Sequence, residues 1–350
     1  MAQWQFITQA RNGAQIADIT GLRDRRMLWQ LGQPGVVSAS LRVNDPRARR
    51  DSTGGLQTGV HELKVYRDGE AIETVYQLAK TDVNGGIDSY TLGLEWQGIA
   101  SYLQDATVYA QSPLTTAYSG TSLPWTWINT FQTRGPSYGI TQGTVTGTPP
   151  TRSKSITQDA SLFESIHDLA ISGDGFDWAI DTNRTYREWH SQRGADNGIV
   201  LEPGVNVVDW SYTENTGPGE LVTHLRVQGP PGTQQASASD TAASAIYGRR
   251  EAALTFFADF EDSGVTDGQI QSHADSAIAA RVAPIIIPQI RLVKDHPSIP
   301  WGSYWLGDIV TFRVRVSGYD FINAPYRIVQ IDVSLDDNDN ETITLGVNAL

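Results

Sequence analysis

The chain has no cysteine, which excludes disulfides and thiolate metal sites and leaves stability to packed cores or neighbouring subunits. Long apolar runs are missing too. The longest, such as Val282 to Ile287, is broken by Pro284 and closed by Pro288, far short of the ~20 residues that span a bilayer. The opening stretch, MAQWQFITQARNGAQ, lacks a positively charged start, an apolar segment and a small-residue cleavage site, so neither Sec-type export nor membrane insertion is expected. No P-loop or G-x-G-x-x-G occurs, and Gly35, Gly54 and Gly55 fall in loops without a following phosphate-binding helix. The histidines at 61, 167, 190, 224, 273 and 296 are scattered singly, in no metal-ligand spacing. These absences leave no catalytic, cofactor or metal residue to nominate, and the chain reads as a non-enzyme.

What is present is enough to fold. At 350 residues with 39% hydrophobic content, including 10 Trp, 13 Tyr and 9 Phe, the chain exceeds one typical core and reads as two or three packed units. The net charge of -13 is uneven. Residues 1–50 hold 8 Arg against 3 Asp, a balance of +5, so the remainder sums to -18 (-13 minus 5). An acidic body argues against electrostatic gripping of nucleic acid, because phosphate affinity comes from Lys and Arg displacing counterions.

Three regions follow from the patterning. Residues 1–95 read as a small antiparallel barrel, with hairpin signals at Arg67-Asp68-Gly69 and Asn84-Gly85-Gly86. Residues 96–200 read as an α+β middle domain: Trp96 to Asp105 and Leu123 to Thr133 have helical spacing. Ser161 to Glu164 is a capping box opening a helix with Leu162, Phe163, Ile166, Leu169 and Ala170 on one face, which Gly173 is placed to end. A hairpin turning at Asn183 follows. Residues 201–350 read as a second barrel, carrying an inserted helix at about 266–283 and a flexible, small and polar loop at about 231–245.

Several side-chain groups compete for a functional reading. The run Asp336-Asp337-Asn338-Asp339-Asn340-Glu341 is acidic enough for a cation, but it lacks EF-hand spacing and reads better as a solvated turn. Asp174, Asp177, Glu188 and Asp196 suggest a glycosidase pair, for which sequence supplies no separation. Trp125 and Trp127, and Trp301, Tyr304 and Trp305, would stack on sugars if exposed, yet such residues more often fill cores or subunit contacts. The basic stretch Asp45 to Asp51 is either a solvated turn or a contact to an acidic neighbour.

The strongest signal is a repeat. Tyr76 to Leu94 reads YQLAKTDVNGGIDSYTLGL and Tyr326 to Val347 reads YRIVQIDVSLDDNDNETITLGV. Tyr76, Asp82 and Val83 match Tyr326, Asp332 and Val333 at an offset of 250 (326 minus 76), and Thr91-Leu92-Gly93 matches Thr344-Leu345-Gly346 after a turn three residues longer. This order, with the inserted GQIQSHADSAIAARVAP, YGRRE at 247–251 and Leu306-Gly307-Asp308, resembles the tail-tip hub and minor tail proteins of siphophages infecting actinobacteria. The resemblance implies a mainly β fold of two tail-tube-like antiparallel β-barrels, an internal duplication, flanking the mixed middle domain. It implies a homotrimer whose six barrels continue a sixfold tail tube within the virion.

Implied partners are the distal tail ring or tail-tube protein, the tape-measure protein and other tip proteins, with genome DNA passing the lumen without sequence-specific binding. If lumen-facing residues share the chain's acidity, the wall would repel DNA. Longer family members carry receptor-binding or wall-degrading extensions, whereas this chain stops at Leu350, which favours a bare structural hub. The competing readings are a glycan-binding or wall-hydrolysing tip protein using the aromatics and the carboxylates at 174–196, and a part of a contractile injection device.

Overall fold

The structure, a computed structural model, describes residues 2–11, 13–42, 44–46, 56–85, 90–106, 114–117, 122–133, 137–149, 153–156, 160–171, 175–190, 192–211, 214–215, 219, 221–229, 235–255, 267–279, 281–282, 285–286, 289–315 and 321–350. Seven strands come first: β1 (Trp4–Ala10), β2 (Gln15–Asp18), β3 (Arg23–Gln30), β4 (Val36–Arg42), β5 (His61–Arg67), β6 (Glu70–Gly85) and β7 (Tyr90–Gly98). Period-two burial marks them, as in β4, where Val37, Ala39 and Leu41 are buried between half-exposed neighbours. Asp68 and Gly69, both at positive φ, turn the β5–β6 hairpin.

The middle of the chain holds a 3-10 turn (Ile99–Leu103), β8 (Leu114–Ala117), α1 (Leu123–Gln132), β9 (Thr141–Thr146), β10 (Ser153–Ile156), α2 (Leu162–Ile171), β11 (Asp177–Ile180) and β12 (Thr185–Trp189). Ser122 caps α1 by accepting from the Trp125 amide at 3.0 Å. Leu162, Phe163, Ile166, Leu169 and Ala170 of α2 enter a core with Trp127, Ile128, Trp178 and Tyr186. Gly173 lies outside the described residues. The helix expected at Trp96 to Asp105 shrinks to the 3-10 turn, because Trp96 and Gln97 stay in β7, paired with Val37 and Val36.

The rest comprises β13 (Asp196–Leu201), β14 (Val207–Ser211), β15 (Glu214–Asn215), β16 (His224–Gln228), β17 (Gln235–Ser239), α3 (Thr241–Tyr247), β18 (Glu251–Thr255), α4 (Asp267–Ala279), β19 (Ile285–Ile286), β20 (Gln289–Leu292), β21 (Ile309–Arg315), β22 (Phe321–Leu335) and β23 (Glu341–Ala349). The flexible loop expected at 231–245 is, over residues 235–247, the strand β17 followed by α3. Small size is the reason: Ala236 and Ala238 bury beneath Ile270, Ala274 and Ile278 of α4, where larger side chains would hold the helix off. Asp240 then caps α3 through the Ala243 amide at 2.8 Å.

Both copies of the repeat lie in one curled antiparallel sheet. The order β3-β4-β7-β6-β5-β1 in the first copy matches β14-β20-β23-β22-β21-β13 in the second; β13 alone runs parallel where its counterpart β1 is antiparallel. Both long strands bulge at the same place, β6 at Ala79 and β22 at Val329. A bulge bends a strand and increases its twist, so the curl is duplicated with the sequence.

Register corrects the sequence match. Asp82 faces Gly93 and Asp332 faces Thr344, so the return strands are offset by 251 (344 minus 93) and not by 253. The Thr-Leu-Gly triplets are thus two residues out of true correspondence, and the second turn is one residue longer, not three. A slip of two keeps every side chain on its own face, so the sequence match kept the faces and lost the register. One core serves both copies, joining Trp29, Trp96, Leu63 and Val37 to Ile290, Phe312, Ile331 and Val310.

Candidate assembly interface

The two copies meet where β3 pairs with the second half of β22, Gln30 opposite Gln330 through Arg25 opposite Leu335. On the inner face Met27 and Trp29 close over Ile331 and Val333, all fully buried. On the outer face the Arg26 guanidinium donates to both Asp332 oxygens at 2.5 to 3.1 Å, and that carboxylate holds it in its charged form. The Gln30 amide donates to Gln330 at 3.0 Å.

Among the described residues the counterparts of these two strands have no such partner. The second half of β6, residues 80–85, pairs with β7 on one side only among the described residues, and β14 ends the sheet. Exposure reflects this. Val333 is 0% exposed under β3, whereas its counterpart Val83 is 67% exposed. Beside it Tyr90 is 56% exposed, and at the β14 edge Val205 and Val208 are 51% and 58% exposed. Two open strand edges bearing apolar side chains are the pattern that pairs with another chain.

The outer face of these strands is polar, and most of its charges come in pairs, while Glu95 accepts from the Gln97 side chain at 3.2 Å and Asp24 from Ser40 at 2.6 Å. Arg26 meets Asp332, Lys80 meets Asp82 at 2.6 Å and Arg291 meets Asp209 at 3.5 Å. Ser38, Ser40, Gln97, Thr342 and Thr344 alternate between them. The chain's acidity is therefore not concentrated on this face.

The groups nominated from sequence are tied up elsewhere. Glu188 is fully buried, accepting from Ser122 and from Tyr186 at 2.8 Å and facing His190 at 2.9 Å. Asp177 accepts from the Arg193 amide at 2.5 Å and from the Arg327 guanidinium. Asp196 is exposed and turns onto the Gly198 amide at 2.9 Å; Asp174 lies outside the described residues. Among the described residues no three His, Asp or Glu side chains cluster as metal ligands would.

Trp127 is buried and Trp125 packs beside it. Trp301 and Trp305 stand edge to face at 5.5 Å, Trp4 and Trp29 pack against them, and Tyr304 is buried. This aromatic knot joins the two copies. The acidic turn is closed by Asp336, which accepts from the amides of Asn338 and Asn340 at 2.8 Å and the Asn340 side chain at 2.9 Å. The Asn340 bonds hold its carboxyl below the usual range, and Arg25 takes Asp339 at 2.5 Å. In the Asp45 to Asp51 stretch only residues 45 and 46 are described.

Residues that sequence reading passed over fix the middle unit against both copies. Arg193 grips Glu73 of β6 with two bonds of 2.8 and 2.9 Å. Its neighbour Gly194, at φ 93, presses backbone to backbone on Gly307, also at φ 93, where any Cβ would overlap the facing chain. Asp308 receives the Ala195 amide at 2.9 Å. The available signals were the glycines of Leu306-Gly307-Asp308 and of Arg193-Gly194-Ala195, which say that a backbone approaches but not which.

No protein-family model matches the chain, and no curated protein does. Solved structures do. The 43 kDa tail protein of prophage MuSo2 from Shewanella oneidensis superposes with a TM-score of 0.70 at 15% identity, over 99% of this chain and 98% of that one. The tail protein from Neisseria meningitidis MC58 gives 0.67 at 11% identity, over 99% and 96%. The Escherichia coli c3393 protein, described as a type VI secretion component similar to phage T4 tail proteins, gives 0.53 at 9% identity, over 98% and 76%. The fold is shared with these phage tail proteins and with this type VI secretion component, mainly β with two tube-like copies.

Proposed function

We propose that the chain is a structural hub of a phage tail tip, three copies of which close a ring of six barrels that continues the tail tube and gives DNA a channel. The observation that carries this reading is the β3–β22 seam. It sets two equivalent barrels side by side and leaves a matching pair of edges open, so the internal seam is a template for the seam between chains. Applied to its counterparts, the template pairs β14 and β15 of one copy with residues 80–85 of β6 in the next. Ser211 falls opposite Asn84, and Asn215 opposite Lys80. Cyclic closure by one repeated heterologous contact is how such edges are used up, and two barrels per chain let a threefold ring meet a sixfold tube.

In this reading the open polar face lines the channel. Its charges, mostly paired, make a wall less acidic than the overall charge suggests, and such a wall equally offers DNA phosphates no row of free cations. The hub's neighbours in the virion would be the distal tail ring or tube protein, the tape-measure protein and other tip proteins. The likeness to c3393 supports a second reading, a hub of an injection device built on the same ring, which the neighbouring genes would separate. Cysteines at 84 and 211 in this cysteine-free chain test the closure. Oxidation is expected to give a covalent trimer on non-reducing gels and a threefold ring in negative-stain images. Monomers that neither cross-link nor form rings at high concentration would overturn the proposal.

A further inference from the structure

A cleft of about 490 Å³ opens beside the turn between β1 and β2. Among the described residues its lining charges are all cationic, Arg11, Lys64 and Arg184, and no carboxylate lines it. Arg184, in a turn at φ 59, donates to the carbonyls of Tyr138 and Arg11 at 2.7 Å each, and to buried Glu62. That pairing neutralises Arg184 and fixes the cleft wall. Arg11 is held by the Gly59 carbonyl at 2.8 Å and lies 5.3 and 5.6 Å from the stacked rings of Tyr102 and Tyr138. Neither Arg11 nor Lys64 has an ion-pair partner among the described residues.

Two uncompensated cations beside a preorganised guanidinium are unusual in a chain of net charge -13. A recess lined by one sign of charge, with low-dielectric aromatic walls, focuses its field on whatever enters. We propose that this cleft docks an acidic peptide segment of a neighbouring protein, its carboxylates received by Arg11 and Lys64. A peptide is favoured over duplex DNA because the recess admits a few side chains, whereas a duplex presents its phosphates on a broad convex surface that needs an extended basic stripe. The site is complete within one chain and stands whether or not the ring forms.

The test is fluorescence anisotropy of a labelled hexaglutamate peptide titrated with the full chain at rising salt, with a duplex DNA probe in parallel. Lys64→Glu is expected to weaken peptide binding roughly tenfold or more, since a lost charge-assisted bond and a new repulsion each oppose it. Lys64→Arg retains binding, salt weakens it, and DNA does not bind. Lys64 is half-exposed, so the melting temperature of Lys64→Glu reports that the fold is intact. No peptide binding at millimolar protein overturns the proposal, as does equal binding by Lys64→Glu. DNA binding lost with the same substitution also overturns it, by making the cleft a general polyanion patch.

Discussion

Glu341 closes the acidic turn at the start of β23, yet its side chain is fully buried. It accepts from Trp4 Nε1 at 3.0 Å and from Arg67 at 3.1 and 2.7 Å, and Arg67 lies 4.6 Å from the Trp301 ring. One carboxylate thus ties the first strand, the β5–β6 hairpin and the last hairpin together. Removing it strands a guanidinium that only half-exposed Asp68 and Asp295 partly compensate. Glu341→Ala is therefore expected to cost about 3 to 5 kcal/mol in urea unfolding, while Arg67→Met with Glu341→Leu together costs less than either single change. Additive losses would show that the pair is not coupled. Sequence could nominate Trp301, Tyr304 and Trp305 for a core, because large aromatics in a chain this size have to be buried somewhere. It could not nominate Arg67 or Glu341, since partners 274 positions apart leave no local trace, and in an acidic run a buried carboxylate looks like its solvated neighbours.

At the scale of elements, alternation and turn chemistry were legible and pairing was not. The repeated hairpin was readable because period-two burial and a matching Tyr, Asp and Val survive in both copies; its register was lost because a slip of two preserves that period. The same limit hid β17. A strand of Gln, Ala and Ser has no apolar signal, and only the α4 helix on top of it explains its small residues. Ala238 is 8% exposed under that helix, so Ala238→Leu is expected to overpack the small third core, by about 1 to 3 kcal/mol. The effect should be local. Hydrogen exchange should quicken in β16, β17 and α4 and stay unchanged in β22 and β23, whose core is separate. Uniform quickening would mean that this core folds with the main sheet as one unit.

For the whole molecule, the duplication makes the ring's seams comparable and predicts that they differ. Within the chain, the strand covered by β3 presents Ile331, Val333 and Leu335 to the core, all buried. At the seam between chains the same positions are Thr81, Val83 and Gly85, so two of three large apolar anchors are gone. Asp82 keeps the place of Asp332, but the counterpart of Arg26 is Ser211, and Asp82 turns to Lys80 within its own strand. Each buried apolar side chain is worth roughly 1.5 to 3 kcal/mol, and a bidentate Arg–carboxylate pair adds geometric specificity. The three seams between chains should therefore open before the three within them, giving the ring threefold lines of weakness. In the assembled trimer, amides of residues 80–85, 210–211 and 214–215 are expected to exchange faster than those of 25–30 and 330–335, by opening rather than by unfolding. Thr81→Ile with Gly85→Leu should narrow the gap, and equal protection at all six seams of the native ring would refute the asymmetry.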